Sequence, residues 1–423
     1  MNIKKYEFKK IISSPIFIVL TLIFLAYNAM IITNKSYIRN DLKVLNKIFV
    51  EVGYVINDDM MVEFKTYYES QLEKANNILS GKGYNSYDTI SEFFEENYIY
   101  ADENSKFSSD EVRFLDKASS IEAYYFLSRD LEQSYESIDI NKIAEYELAK
   151  SPYNNNVNKI IKKNYNEFDV RFQELKANGE HKNLFFHGRT YKMHSFIFKN
   201  IFTAIIYEIM ILIVLATSFI LNYEFESKTA LVVYSTKRGR HLTKDKLIVS
   251  LGFTILATTI IISITLLTYF IAFDYSGLWG VSVNSFFGQE YSMPYMSWWS
   301  MSILKYLVLV ILVVYLIEII FCGITFILSV FIKNTYIVFG TFAIILGIGI
   351  LLPEVIPTNL DIIIYSVYTP FTLILNPSWW FMFRGGLLQP SKYYEIITLI
   401  IWSVIVLVIG ALCVKRVKRE NIK

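Results

Sequence analysis

Two carboxylates lie where charge is costly. Glu208 and Glu318 sit inside the apolar runs IYEIMILIVL and VYLIEIIFCGI. An ionisable group at membrane depth is expensive and marks a substrate or ion path by default. The alternative is a carboxyl that hydrogen-bonds a neighbouring helix or is held neutral. Three of the four histidines, His181, His187 and His194, cluster in HKNLFFHGRTYKMH. Intervals of six and seven do not align them on one helical face, so a metal site there requires loop geometry. Otherwise they are ordinary membrane-proximal polar residues. The two cysteines, Cys322 and Cys413, fall in apolar runs and build neither a disulfide framework nor a metal site. The chain contains no G-x-x-x-x-G-K-[ST] phosphate loop, no H-E-x-x-H helix and no G-x-S-x-G elbow. It is therefore not expected to be an enzyme, to hydrolyse nucleotide itself or to hold a cofactor or metal.

The elements that position these residues follow from composition. Of 423 residues, 53% are hydrophobic and 19% charged, with a mean hydropathy of +0.36, which points to a membrane protein. Six segments are long and apolar enough to cross a bilayer, which takes roughly 20 helical residues. They are placed at 15–33, 199–221, 247–273, 302–332, 336–352 and 394–414. The apolar core of the first is too long for a signal peptide and lacks a small-residue cleavage site, so it reads as a retained anchor.

Basic flanks orient the bundle. Lysines fill the N-terminal segment 1–14, six basic residues lie in 222–246, Lys333 separates the fourth and fifth spans, and KRVKR opens the tail 415–423. The loop 274–301 on the opposite side has no lysine or arginine. Both termini are thus expected to be cytoplasmic. Measured inward from the outer ends, Glu208 then sits roughly 12 Å deep and Glu318 roughly 20 Å deep, at ~1.5 Å per residue. A shared carboxylate pair is disfavoured unless the helices shift or tilt.

Segment 34–198 becomes an extracellular domain with about 21 basic and 27 acidic residues. Its apolar residues recur at intervals of three and four, which predicts a mostly α-helical fold with minor strand content. Between the fifth and sixth spans, 353–393 holds five of the eight prolines, yet LDIIIYSVYTPFTLIL is nearly as apolar as a span. Proline breaks helices, so short re-entrant or interfacial helices are expected on the outer face. Trp379 and Trp380 would cap them, with Trp298 and Trp299 at the same membrane interface. The N-terminal KKYEFKKIISS predicts a short helix on the inner leaflet, with Ile3, Tyr6 and Phe8 partly inserted.

The loop 226–246 reads ESKTALVVYSTKRGRHLTKDK. Acidic Glu224 and Glu226 precede an apolar run, and a basic end follows, the order a helix dipole favours. An apolar stripe including Leu231 and Tyr234 would fill a groove on a partner, with Arg238 and Arg240 making charged contacts. The alternative is that the charges set topology and bind lipid headgroups.

The basic start ending in SSP, the six spans with both ends inside, this loop and the broken outer segment together resemble ABC-2 type transporter permeases. In that family the loop between the second and third spans docks on a separate ATPase subunit. Glu226, Thr229, Leu231, Val232, Val233, Ser235, Arg240 and Lys246 fall on the family's loop pattern, while Lys228, Lys237 and Asp245 stand where it has glycine, proline and glycine. The resemblance implies a multi-pass protein of the bacterial cell membrane, the membrane subunit of an exporter, and the long apolar spans and aromatic outer surfaces suit an amphipathic substrate such as a peptide antibiotic or a lipid-like molecule. ATP and Mg would be bound by the partner ATPase. Its other partners would be a second permease subunit, identical or sister, and membrane lipids, with no nucleic acid. The alternatives are a ligand sensor or immunity protein acting through the outer domain, and a sodium-extrusion permease.

Overall fold

The computed structural model describes residues 3–97, 106–188, 191–236, 239–285, 296–383 and 391–419. Six helices are long and apolar enough to cross a membrane: Pro15–Asn34, Tyr191–Glu226, Leu242–Ala272, Ile303–Phe331, Thr335–Val355 and Tyr394–Lys418. The protein is thus an α-helical, multi-pass membrane protein, and these helices are referred to as the first to sixth spans.

Local chemistry sets several of their ends. Ser302 accepts a hydrogen bond from the Lys305 amide at 3.4 Å, and Asn334 accepts one from Ile337 at 3.0 Å, capping the fourth and fifth spans. Three residues separate those two helices, which forces them to run antiparallel. The fifth span crosses Pro353 and reaches Val355, because Ile356 N–H still bonds the Leu352 carbonyl at 3.2 Å.

The second span is longer than the apolar run suggested. It starts at Tyr191, passes through a π-helical turn at Phe196–Ile201 and continues to Glu226. At ~1.5 Å per residue it exceeds a ~30 Å hydrocarbon core, so its ends project beyond the apolar layer. It is the most enclosed of the six and packs against the third, fourth and fifth spans. Gly323 of the fourth span lets Val406 of the sixth approach so closely that an added Cβ would lie 2.2 Å from Val406 Cγ1. The outward-facing aliphatic residues of the first and sixth spans, such as Leu22, Leu407 and Leu412, are exposed.

Between the first and second spans the chain forms an inserted domain of helices, the longest being Arg39–Val52, Asp58–Gly81, Ser109–Arg129 and Asn155–Ala177. An isolated bridge between Val55 and Asn183 is its strand-like element among the described residues. Glu122, 1% exposed, organises part of its interior. Its carboxylate accepts from Tyr68 Oη at 2.9 Å, Ile90 N at 2.7 Å and Ser91 N at 2.9 Å. It thereby supplies acceptors to the free amides that begin Ile90–Glu96.

The segment between the fifth and sixth spans folds as two short helices, Ile362–Ser366 and Pro370–Leu373, followed by a 3-10 turn at Pro377–Trp379. The tryptophans correct the sequence reading. Trp380 is buried and donates to the Leu373 carbonyl at 2.9 Å, and Trp298 is buried between Phe168 and Phe383. Protein, rather than a lipid interface, encloses these two indoles. A two-residue antiparallel ladder pairs Met296–Ser297 with Met382–Phe383. Phe168 of the inserted domain stacks on Phe383, with ring centroids 3.7 Å apart. Glu180, held by Arg171 at 2.6 and 3.0 Å, accepts from Asn284 at 2.6 Å. Asn284 in turn accepts from Ser297 N at 2.6 Å. Domain and bundle are therefore knitted together at this end.

Candidate functional site

The opposite, basic end of the bundle gathers residues from three separate parts of the chain. Glu224 closes the second span, Lys246 lies in the first turns of the third, and the N-terminal helix Ile3–Ile12 packs against both. Lys246 is fully enclosed; it pairs with Glu224 and donates to the Ile220 carbonyl at 2.5 Å. Lys10 lies 2.9 Å from Glu7 and 3.5 Å from Glu224, and its ammonium sits 4.1 Å from the Tyr223 ring centroid. Two cations thus face two carboxylates in one enclosed cluster. Burial pulls the Lys10 ammonium down, but Glu7 and Glu224 outweigh it and hold its pKa above the ordinary lysine value. At the periphery, Lys4 lies 3.9 Å from Asp245.

Glu226, one half-turn further, reaches the other way. Its carboxylate accepts from the Thr335 amide at 2.6 Å, placing negative charge on the N-terminus of the fifth span. The Lys333 ammonium stands 4.7 Å from the Phe225 ring centroid beside it. The last three residues of the second span therefore touch the N-terminal helix, the third span and the fourth-to-fifth-span turn.

The chain then reverses through Lys228, at φ +58°, a left-handed conformation that favours glycine. Thr229 N–H bonds the Glu224 carbonyl at 2.9 Å, terminating the span. A short helix, Ala230–Tyr234, follows. Ala230 and Tyr234 face inward, Tyr234 stacking on Phe225 at 5.7 Å. Burial, and then Glu224, push the Tyr234 hydroxyl pKa up. Leu231 and Val232 point outward, 63% and 74% exposed. The returning chain passes so close that a Cβ on Gly239 would meet the Val233 carbonyl oxygen at 1.9 Å.

The expected docking surface is therefore divided. Glu224, Tyr234 and Lys246 are internal and cannot touch a partner, because helix packing closes over them. Thr229, Leu231 and Ser235 are exposed, and so is Glu226 despite its bond to Thr335. Arg238 and the side chain of Arg240 lie outside the described residues.

The two intramembrane carboxylates occupy separate environments. Glu208 is 5% exposed and accepts from Asn28 Nδ2 at 2.8 Å; the same amide nitrogen lies 3.1 Å from Thr265 Oγ1. Asn28 was missed in the sequence, although an asparagine inside LAYNAMII was a usable signal. Glu318 is fully buried, and neither of its carboxyl oxygens has a hydrogen-bond partner among the described residues. One turn away, Cys322 Sγ lies 3.6 Å from Thr217 Oγ1. The third span contributes a buried polar stripe of Lys246, Ser250, Thr254, Thr258 and Thr265, four or seven residues apart and so on one face. This stripe extends from the ion cluster to the level of Glu208.

The histidines do not converge. His181 lies against the Tyr135 ring at 4.5 Å and 3.7 Å from Glu132, and burial lowers its pKa although Glu132 opposes this. His194 packs among Phe185, Phe186 and Phe198, while the His187 amide donates to Tyr124 Oη at 2.9 Å. Among the described residues no group of three or more His, Cys, Asp or Glu side chains is arranged to hold a metal ion. No protein-family profile, characterised protein or solved structure matches the chain significantly.

Proposed function

We propose that the chain is the membrane subunit of an ATP-driven exporter of the ABC-2 permease type, with its basic end in the cytoplasm. One observation carries this reading: Leu231 and Val232 are presented on a short helix whose inner residues Ala230 and Tyr234 pack with Leu242 and Phe225, Phe225 directly following Glu224 of the buried Glu224–Lys246–Lys10 cluster. An exposed aliphatic pair on a rigid mount suits insertion into a groove on a partner. A push on that helix reaches the N-terminal helix and the second, third and fifth spans through the contacts of Glu224 and Glu226. The left-handed turn at Lys228 falls where the resembling permeases have glycine, which supports the same assignment.

In this reading a separate ABC ATPase binds ATP and Mg, and a second permease copy or sister completes the pathway. The substrate is amphipathic and moves outward past the polar stripe of the third span, with Glu208 and Glu318 along the path. The test is isolation of the tagged chain from its native membrane in mild detergent. An ABC ATPase is expected to co-purify, and to be lost when Leu231→Glu and Val232→Glu are combined. Retention of the ATPase by that variant would sink the docking role. Isolation of the unsubstituted chain without any ATPase would favour the ligand sensor instead.

A further inference from the structure

The inserted domain carries a basic pocket that the exporter reading does not use. A cavity of about 470 Å³ opens between the chain leaving the first span and the helix Ser109–Arg129. Lys43, Arg113 and Lys117 bring positive charge to its walls, Asp41 and Asp116 bring acceptors, and Tyr37 stands at its edge, 68% exposed. Beside it, Lys117 faces Lys47 and Lys74, so that three packed helices each contribute a lysine to one place. Lys43, Lys47, Lys74 and Lys117 form no ion pair with a carboxylate among the described residues. Burial first, and then Lys47, hold the Lys117 pKa below the ordinary lysine value, with Glu51 as a partial offset. Arg113 pairs with Asp110 at 3.4 Å, and the three basic side chains of the walls face two acidic ones, with Lys47 and Lys74 adding to the positive excess beside them, in a domain whose acidic residues outnumber its basic ones.

Position along the membrane normal points to what meets this positive excess. The first span ends at Asn34, three residues before Tyr37. Helix Arg39–Val52 lies over the end of the third span: Asn46 donates to the Asp274 carbonyl at 2.9 Å, two residues beyond Ala272. Phe49 packs on Gly277, where an added Cβ would come within 3.1 Å. Lys43 and Lys47 flank Asn46 on that helix. The pocket is therefore fastened at the level where two spans leave the apolar layer, which is the headgroup zone of a bilayer ~40–45 Å thick overall. Lysines and tyrosines at this level bury apolar stems and direct polar ends toward headgroups.

We propose that this pocket binds the phosphate of a phospholipid headgroup in the leaflet beneath the inserted domain. Lys43 and Lys117 engage the phosphate, and Asp41 and Asp116 accept hydrogen bonds from headgroup hydroxyl or ammonium donors. The selected lipid therefore has an anionic phosphate together with a donor, as phosphatidylglycerol does. Phosphatidylcholine lacks the N–H or O–H donor and binds more weakly.

The full chain, purified in detergent, is titrated with phosphatidylglycerol or phosphatidylcholine and examined by native mass spectrometry. Phosphatidylglycerol adducts are expected to persist at collision energies that remove phosphatidylcholine. Lys43→Gln combined with Lys117→Gln weakens retention about thirtyfold, from roughly fivefold per basic side chain near an anionic surface, and Lys43→Glu combined with Lys117→Glu, which reverses both charges, weakens it further. Lys65→Glu, an exposed lysine elsewhere in the domain, leaves retention unchanged. Lys43→Gln with Lys117→Gln is run alongside as the milder variant, and thermal melting verifies that each protein is folded. Equal retention by parent and both folded double variants overturns the proposal. Displacement of phosphatidylglycerol by inorganic phosphate at matched concentration overturns the lipid as source and leaves free phosphate as the ligand.

Discussion

Lys246 of the third span and Glu224 of the second form an ion pair from which solvent is excluded, with Lys10 of the N-terminal helix as a second cation on the same carboxylate. Such a cluster is costly to desolvate and costlier still to leave half-made. Lys246→Met strands Glu224 with Lys10 alone and is expected to destabilise the protein by about 3–5 kcal/mol. Glu224→Gln combined with Lys246→Met recovers most of that loss. Apparent melting temperatures in detergent measure both, and a single variant that melts with the parent would refute the structural role.

Glu318 gives a contrasting expectation. With neither oxygen hydrogen-bonded among the described residues, its carboxyl contributes no partner whose loss would be felt. Glu318→Leu retains similar volume and removes an unpaired polar group, so it is expected to melt at or above the parent temperature, by up to about 1–3 kcal/mol of stabilisation. The same variant is expected to lose transport in reconstituted vesicles. A marked fall in melting temperature would show that the carboxyl has a structural partner, and unchanged transport would remove it from the substrate path.

His181 makes the inserted domain sensitive to acid. Its folded pKa lies below the ordinary value of 6.5. Below that value the unfolded chain binds a proton that the folded chain resists, so stability falls as pH falls. His181→Phe keeps a ring against Tyr135 and removes the titration. The parent is expected to lose protection of the Leu131–Glu136 amides between about pH 7.5 and 5.5, after correction for intrinsic exchange, while the variant loses less. Parallel profiles in the two proteins would refute the assignment.

Much of the architecture was legible because hydrocarbon thickness is read directly from apolar run length. All six spans were placed, and the prolines at 357, 370 and 377 marked the break before the sixth, whereas Pro353 lies inside the fifth span. The start of the second span was missed because Lys192, His194 and Lys199 interrupt the apolar run, although the helix continues through them. Glu224 and Lys246 were read as surface charges because they flank a loop. Only the packing of three chain segments shows that they neutralise each other. Asn28 and Glu208 are 180 residues apart, a pairing that no local pattern encodes.

The ladder between Met296–Ser297 and Met382–Phe383, with Phe168 stacked upon it, has a mechanical corollary. It fastens two inter-span connections and the inserted domain into one stiff collar, reinforced by Glu180, Asn284 and Ser297. A bundle clamped at one rim deforms like a clothes-peg. Small tilts about the collar grow with distance into their widest excursions at the far rim, beside Leu231 and Val232.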